Sequence, residues 1–356
     1  MLEQNIFLWM QIGAIAFLTT LAISGFMSIA GLGDASDDRS SHSGTIPTSG
    51  GVGIIAGMGA ALVAMSLIFP SANLPRGFAS VMSLLFAVGF LGLVDDGLTL
   101  GAKMKFGIMI AICAAAVWLI GPPTQLPFFQ NPVQLPPGVG FAGAVLWLFV
   151  VMNAVNFMDG ANGMMGLSLL IANIGLFGAG IIGGSGTTLL LSGLSVMIIL
   201  GFLPYNLRPR AGVFSGDVGS LSLSFLFGVA VLYLIQETPD QTLHFVGPIL
   251  ILPILADVLL TLIRRVRRRE NLLQAHNTHL YQRLIRHGFS HLSVSWFYAF
   301  VALACANLVV IGVPKGWLNK LDIPLMLVGA ITMAYWLISQ GLSAKALANS
   351  RNDKAG

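Results

Sequence analysis

The chain has 356 residues, 56% hydrophobic and only 9% charged, with a mean hydropathy of +0.85. A soluble domain carries about 25% charged residues, so a soluble globular fold is excluded. The net charge of +4 does not call for nucleic acid, because its basic residues fall where membrane loops are expected.

A helical span needs about 20 apolar residues. The N-terminal MLEQNIFLWMQ lacks a basic n-region and a small-residue cleavage site, so the first apolar run predicts a retained helix at 7–30. Further spans are predicted at 51–70, 78–94, 106–121, 139–156, 164–183, 187–205, 219–235, 243–263, 293–313 and 323–343. That makes eleven, or ten if one pair is miscounted. The runs are continuous and do not alternate, which argues against an outer-membrane barrel. The expectation is an all-α polytopic membrane protein forming a single catalytic domain over 1–356. The Pro-rich stretch 121–137 predicts an external loop. Cys113 and Cys305 lie inside apolar runs, so neither a disulfide nor a metal cluster is expected.

If eleven spans alternate, fifteen of the eighteen Lys and Arg fall on one side and three (Arg76, Lys315 and Lys320) on the other. The positive-inside rule makes the first side cytoplasmic, with the N-terminus outside and the C-terminus inside. Most of the polar clusters lie on that same side, in loops at about 31–50, 95–105, 157–163, 206–218 and 264–292. Polar chemistry gathered on one membrane face predicts an active site at the membrane–cytosol boundary.

Asp95-Asp96 ends the third span and is either a solvated helix end or a magnesium site, since Mg²⁺ takes one or two carboxylates plus substrate phosphates. Asp159 sits between Asn156 and Gly160, in a run where glycine lets backbone amides be approached. Asp217 opens the eighth span beside Gly216; an ordinary helix N-cap is the alternative reading. The run from Arg264 to Arg269 reads as anionic-lipid contact or as part of the site. His276 and His279 share a helical face, and with Arg283 they can grip a diphosphate. Asp257, within the ninth span, is either functional or an ion-pair partner.

These residues resemble the polyprenyl-phosphate N-acetylhexosamine-1-phosphate transferases, glycosyltransferase family 4. The matching segments are Arg39-Ser40-Ser41-His42 with Ile46-Pro47 and Gly50-Gly51, Leu93-Val94-Asp95-Asp96, Asn153 to Gly163, Phe214 to Ser220, and His276 to Arg283. The His-x-x-His-x-Tyr-Gln-Arg ending is similar to the O-antigen-initiating branch.

The resemblance implies transfer of N-acetylhexosamine 1-phosphate from a UDP-sugar to undecaprenyl phosphate, releasing UMP, in the bacterial inner membrane. It implies Mg²⁺, with Mn²⁺ as a substitute, held by Asp217 and Asp96. It implies catalytic roles for Asp95, Asp96, Asp159 and His279. Nucleotide and sugar contacts would come from Asn156, Gly160, Asn162, Asn206, Phe214, His276 and Arg283. Lys103 and Lys105 would meet the lipid phosphate. Membrane lipid and a homodimer are further expected partners, and nucleic acid is not.

Two features depart from the family pattern. Asn162 stands where relatives carry a carboxylate that reads uracil, and the segment from Asn206 to Phe214 is one residue longer than usual. The rival readings are a membrane transporter and an inactive scaffold. In mechanism, direct attack by the lipid phosphate competes with a covalent intermediate on Asp95.

Overall fold

A computed structural model describes residues 6–30, 47–70, 74–98, 100–128, 131–271, 276–319 and 322–352. The expected Arg39–His42 motif and Ile46 lie outside the described residues.

The helices follow the apolar runs. They are α1 (Ile6–Ala30), α2 (Gly50–Ile68), α3 (Phe78–Leu98), α4 (Ala102–Ile120), α5 (Pro137–Met158), α6 (Met164–Gly183), α7 (Gly186–Asn206) and α8 (Gly216–Glu237). After a 3-10 turn at Gln241–Phe245 come α9 (Val246–Leu250), α10 (Leu252–Arg267), α11 (Leu280–Arg286), α12 (His291–Gly312) and α13 (Asp322–Asn352). Among the described residues ten helices are long and apolar enough to span a membrane, and a bent pair makes up to eleven. The protein is an all-α, multi-pass membrane protein.

The bent pair is the predicted ninth span: Gln241–Leu250 and Leu252–Arg267 meet at 67°. Pro253 explains the break, because it has no N–H to offer the preceding turn and its ring crowds that turn's carbonyl. Within the other spans, several polar side chains bond to their own helix. Ser192 donates to the Thr188 carbonyl (2.6 Å), Ser195 to that of Leu191 (2.8 Å) and Ser224 to that of Ser220 (2.6 Å). That satisfies them where water is absent.

α8 is the central helix, packed against α2, α3, α5 and α7. Its apolar stretch is 94% buried inside the protein, against 6% for Leu325–Leu342 of α13. The contrast places α8 at the core and α13 at the lipid-facing periphery. The start of α8 therefore lies on the bundle axis, at the end where α3 and α5 terminate and α4 begins.

Two expectations about loops are revised. Residues 125–128 and 131–134 of the Pro-rich stretch pair as an antiparallel hairpin, with Gln125 opposite Gln134. Two short, isolated strands tolerate proline at their open edges. Asp95, Asp96, Lys103, Lys105 and Asp217 belong to terminal turns of α3, α4 and α8 and not to loops. The helices extend past the apolar stretch because their last turns emerge where water and charge are available.

Candidate active site

The first N–H groups of a helix have no partner within the helix. At α8 the N-cap is Ser215, yet its side chain makes no capping bond. Asp96 does that work from α3: the backbone N–H of Asp217 donates to both its oxygens at 3.1 Å. The Ser215 hydroxyl instead donates to Asp159, the residue that ends α5. Gly216 has φ +59°, and a Cβ there would stand 2.5 Å from Asp96 Oδ2 and 2.4 Å from the Thr48 carbonyl oxygen. Only glycine fits that corner.

Asp217 then projects from the first turn of the core helix. Its Oδ1 accepts from Asn156 Nδ2 at 2.6 Å, and Asn156 also donates to Ser220 Oγ at 2.9 Å. Its Oδ2 accepts from the Lys105 ammonium, which also donates to Asp95 Oδ2 at 2.7 Å. Asp95 Oδ1 takes the Leu100 backbone N–H at 2.8 Å. The side chains of Lys105, Asp95 and Asp217 are 11%, 16% and 20% exposed, so this junction is screened from water but reachable. Burial pushes the Asp159 carboxyl up to about 8, helped by the charges of Asp217 and Asp96 and opposed by the Ser215 hydrogen bond. Asp95 and Asp217 thus share one ammonium, with Asp96 and Asp159 close by on other donors, at the N-terminus of a long helix whose dipole favours anions.

That donor set suits a hard divalent cation. Among the described residues no three His, Cys, Asp or Glu side chains converge as a closed metal cage. An open set of one or two carboxylates is what Mg²⁺ uses when substrate phosphates complete its shell. The N–H-accepting Asp96 and the adjacent Asp217 fit such a role.

Around this cluster the remaining predicted residues divide. Phe214 is half-buried and pinned by its backbone: its N–H donates to the Pro47 carbonyl at 2.7 Å, and its carbonyl accepts from Gly50 N at 2.9 Å. Gly160 faces the Tyr281 hydroxyl so closely that a Cβ would lie 2.3 Å from it. His279 is 2% exposed, with its ring centroid 4.8 Å from that of His276 and 6.1 Å from that of Phe157. Lys103 is exposed, two residues from the buried Lys105. Arg283 reaches away to α13, where its guanidinium donates to the Ser339 carbonyl at 2.8 Å.

Asn162 and Asn206 are built into the scaffold. Asn206 accepts from Gly163 N at 2.8 Å and donates to the Val213 carbonyl at 3.0 Å. Asn162, fully buried, donates to the carbonyls of Arg208 (2.7 Å) and Pro209 (3.2 Å). An ionised carboxylate has no proton for either carbonyl. Asn162→Asp is therefore expected to be harmful here: thermal unfolding of the detergent-solubilised protein should come at lower temperature, by about 1–3 kcal/mol of lost stability. An unchanged or raised unfolding temperature would contradict this.

Three partners escaped sequence reading. Ser215 and Ser220 sit in the Phe214–Ser220 segment without a pattern that marks them, and Tyr298 lies in an apolar span. Each is found only through its contact.

A relative from Bacillus subtilis, named a probable undecaprenyl-phosphate N-acetylglucosaminyl 1-phosphate transferase, is 30% identical over 329 residues, 88% of each chain. The profile of glycosyl transferase family 4 matches residues 78–235. The chain belongs to glycosyl transferase family 4. It is an enzyme, a membrane-embedded phosphotransferase. The profile match spans Asp95 to Asp217 and ends before His276. The family 4 chain is also 28% identical over 319 residues to an Escherichia coli undecaprenyl-phosphate alpha-N-acetylglucosaminyl 1-phosphate transferase, covering 84% of this chain and 82% of the relative. A Clostridium acetobutylicum phospho-N-acetylmuramoyl-pentapeptide-transferase is 33% identical over 228 residues, covering 60% and 68%.

Proposed function

We propose that this family 4 enzyme transfers N-acetylhexosamine 1-phosphate from a UDP-sugar to undecaprenyl phosphate, starting a lipid-linked envelope glycan such as O-antigen. The observation that carries the reading is the meeting of Asp95, Asp96, Asp217, Asn156 and Lys105 at the start of the core helix, at one end of a membrane-spanning bundle. The names of its relatives supply the lipid acceptor and favour N-acetylglucosamine as the sugar. The uneven distribution of Lys and Arg supports an inner-membrane enzyme whose site faces the cytoplasm, where UDP-sugars are.

In the proposed step an oxygen of the lipid phosphate bonds to the β-phosphorus of the UDP-sugar. The bond from that phosphorus to the bridging oxygen breaks, and UMP leaves with the electron pair. A phosphate monoester with a second pKa near 6 is mostly dianionic at neutral pH, so no strong general base is needed. The obstacle is the approach of two anions.

Mg²⁺, held by Asp217 and Asp96, would supply charge neutralisation between the phosphates. Lys105 adds a fixed positive charge in the screened junction. Asn156 orients the Asp217 carboxylate, and the α8 N-terminus favours the anionic substrates. His276 and His279 would hold the diphosphate, and the Phe214 ring would pack on the base.

The test is Mg²⁺-dependent UMP release by purified protein supplied with UDP-N-acetylglucosamine and undecaprenyl phosphate. Release that requires both substrates is expected. No release with any UDP-N-acetylhexosamine would refute the reading. Label retained on the protein in the absence of lipid would replace direct displacement with a covalent intermediate.

A further inference from the structure

We infer that Asp257 is a positioning residue for this reaction, holding the His279 imidazole and the first turn of α11 against the segment that carries Asn156 and Asp159. It is 1% exposed, in the α10 half of the broken span. A carboxylate at that depth is unfavourable unless donors surround it, and here they do. Its Oδ1 accepts from Leu280 N at 2.7 Å and Thr261 Oγ1 at 3.2 Å, with His279 Nδ1 at 3.5 Å. Its Oδ2 accepts from Tyr281 N at 3.1 Å and the Tyr298 hydroxyl at 2.6 Å.

The two backbone donors are the opening residues of α11, whose N-cap is His279. Asp257 thus caps α11 from another helix, satisfying N–H groups that have no partner inside α11. From the other side, the His279 N–H donates to Gln282 Oε1 at 3.1 Å. α12 contributes Tyr298. α13 contributes Tyr335, whose hydroxyl lies 2.8 Å from that of Thr261. Three elements, α10 itself, α11 and α12, therefore bring donors to one carboxylate, and α13 adjoins it through Thr261.

The consequence reaches the site through His279 and Tyr281. The Tyr281 hydroxyl donates to the Phe157 carbonyl at 3.2 Å, and the His279 ring stacks near Phe157. Phe157 adjoins Asn156, the hydrogen-bond partner of Asp217. With Nδ1 turned toward Asp257, His279 Nε2 is the nitrogen left to meet substrate. At 3.5 Å the Asp257 carboxylate lies beside His279 Nδ1 without a formed hydrogen bond, and a carboxylate in that place favours one direction of the ring.

The experiment is a double-mutant cycle on UMP release, with Asp257→Asn, His279→Ala and the pair. The inference rests on the transfer reaction proposed above for its readout. A parent enzyme without UMP release would refute that reaction. An active parent lets the cycle judge Asp257.

Asp257→Asn alone should lower kcat by about 10–100-fold, with KM for the UDP-sugar changing less. In the His279→Ala background it should lower kcat by less than about threefold, since residues that act through one another are non-additive. Equal losses in both backgrounds would overturn the inference, leaving Asp257 only a structural cap. If Asp257→Asn fails to fold in detergent, Tyr298→Phe takes its place. It removes one donor to the carboxylate, and its loss of kcat should also shrink when His279 is absent. A loss independent of His279 would again refute the proposal.

Discussion

Asp217→Asn should reduce UMP release by about 10²–10³-fold or more while the protein still folds. The substitution keeps the side-chain shape, but it removes the charge that faces Lys105 and the carboxylate proposed to hold Mg²⁺. Removing one preorganised electrostatic group from a water-screened site costs on the order of 10²–10³ in kcat, and losing a metal ligand adds to that. The fold should survive, because Lys105 keeps Asp95 at 2.7 Å and the backbone N–H of residue 217 keeps Asp96.

Two measurements check this. Thermal unfolding in detergent without Mg²⁺ should stay within a few degrees of the parent. The rise in unfolding temperature that Mg²⁺ gives the parent should be lost in the variant, since a ligand stabilises only the state that binds it. Turnover close to the parent's would remove Asp217 from the mechanism. A retained Mg²⁺ shift alongside lost turnover would move the metal elsewhere.

Lys105→Met should have the second-largest effect, with opposite signs in two readouts. Turnover should fall by about 10²-fold, because the fixed cation that offsets phosphate repulsion is gone. Metal binding should tighten. One positive charge fewer among Asp95, Asp96, Asp159 and Asp217 favours a dication, by roughly 1 kcal/mol or more at separations of several ångströms. That is roughly a fivefold lower Kd for Mg²⁺, read as a larger thermal shift at low Mg²⁺. Stability without Mg²⁺ should drop, because taking one partner from a buried ion pair leaves uncompensated charge. Weaker metal binding in Lys105→Met would contradict the assignment of Lys105 as the charge competing with the metal.

The two lysines show where sequence reading stopped. Lys103 and Lys105 look alike in the chain, and both were expected near the lipid phosphate. On a helix, two residues apart is about 200° of rotation, so they face opposite ways. One is exposed and the other is buried among aspartates. Which face met α8 depended on how α4 packs, and packing is not written in local spacing.

Asn162 shows the same limit from the other side. As a departure from the family pattern it raised a question about uracil. In the fold it answers to the carbonyls of Arg208 and Pro209, 46 and 47 residues along the chain. That pairing lies within the Asn206–Phe214 segment, the segment that is one residue longer than usual. Arg283 was expected at the diphosphate because of its motif, yet it reaches Ser339, 56 residues away.

By itself the sequence determined the membrane class, the helical spans and the helix ends where polar chemistry collects, while the break near Pro253 inside the ninth span emerged only in the structure. The properties legible in the sequence are local: hydropathy over about 20 residues decides whether a segment can leave water. The tertiary structure alone decided which polar groups work together. It set Asp217 on the axis of the bundle, made Asp96 the cap of α8, gave Lys105 two aspartate partners, and turned Asp257 toward His279. Each of those contacts joins residues from different helices. A buried charge takes whatever donor the packing brings within about 3 Å.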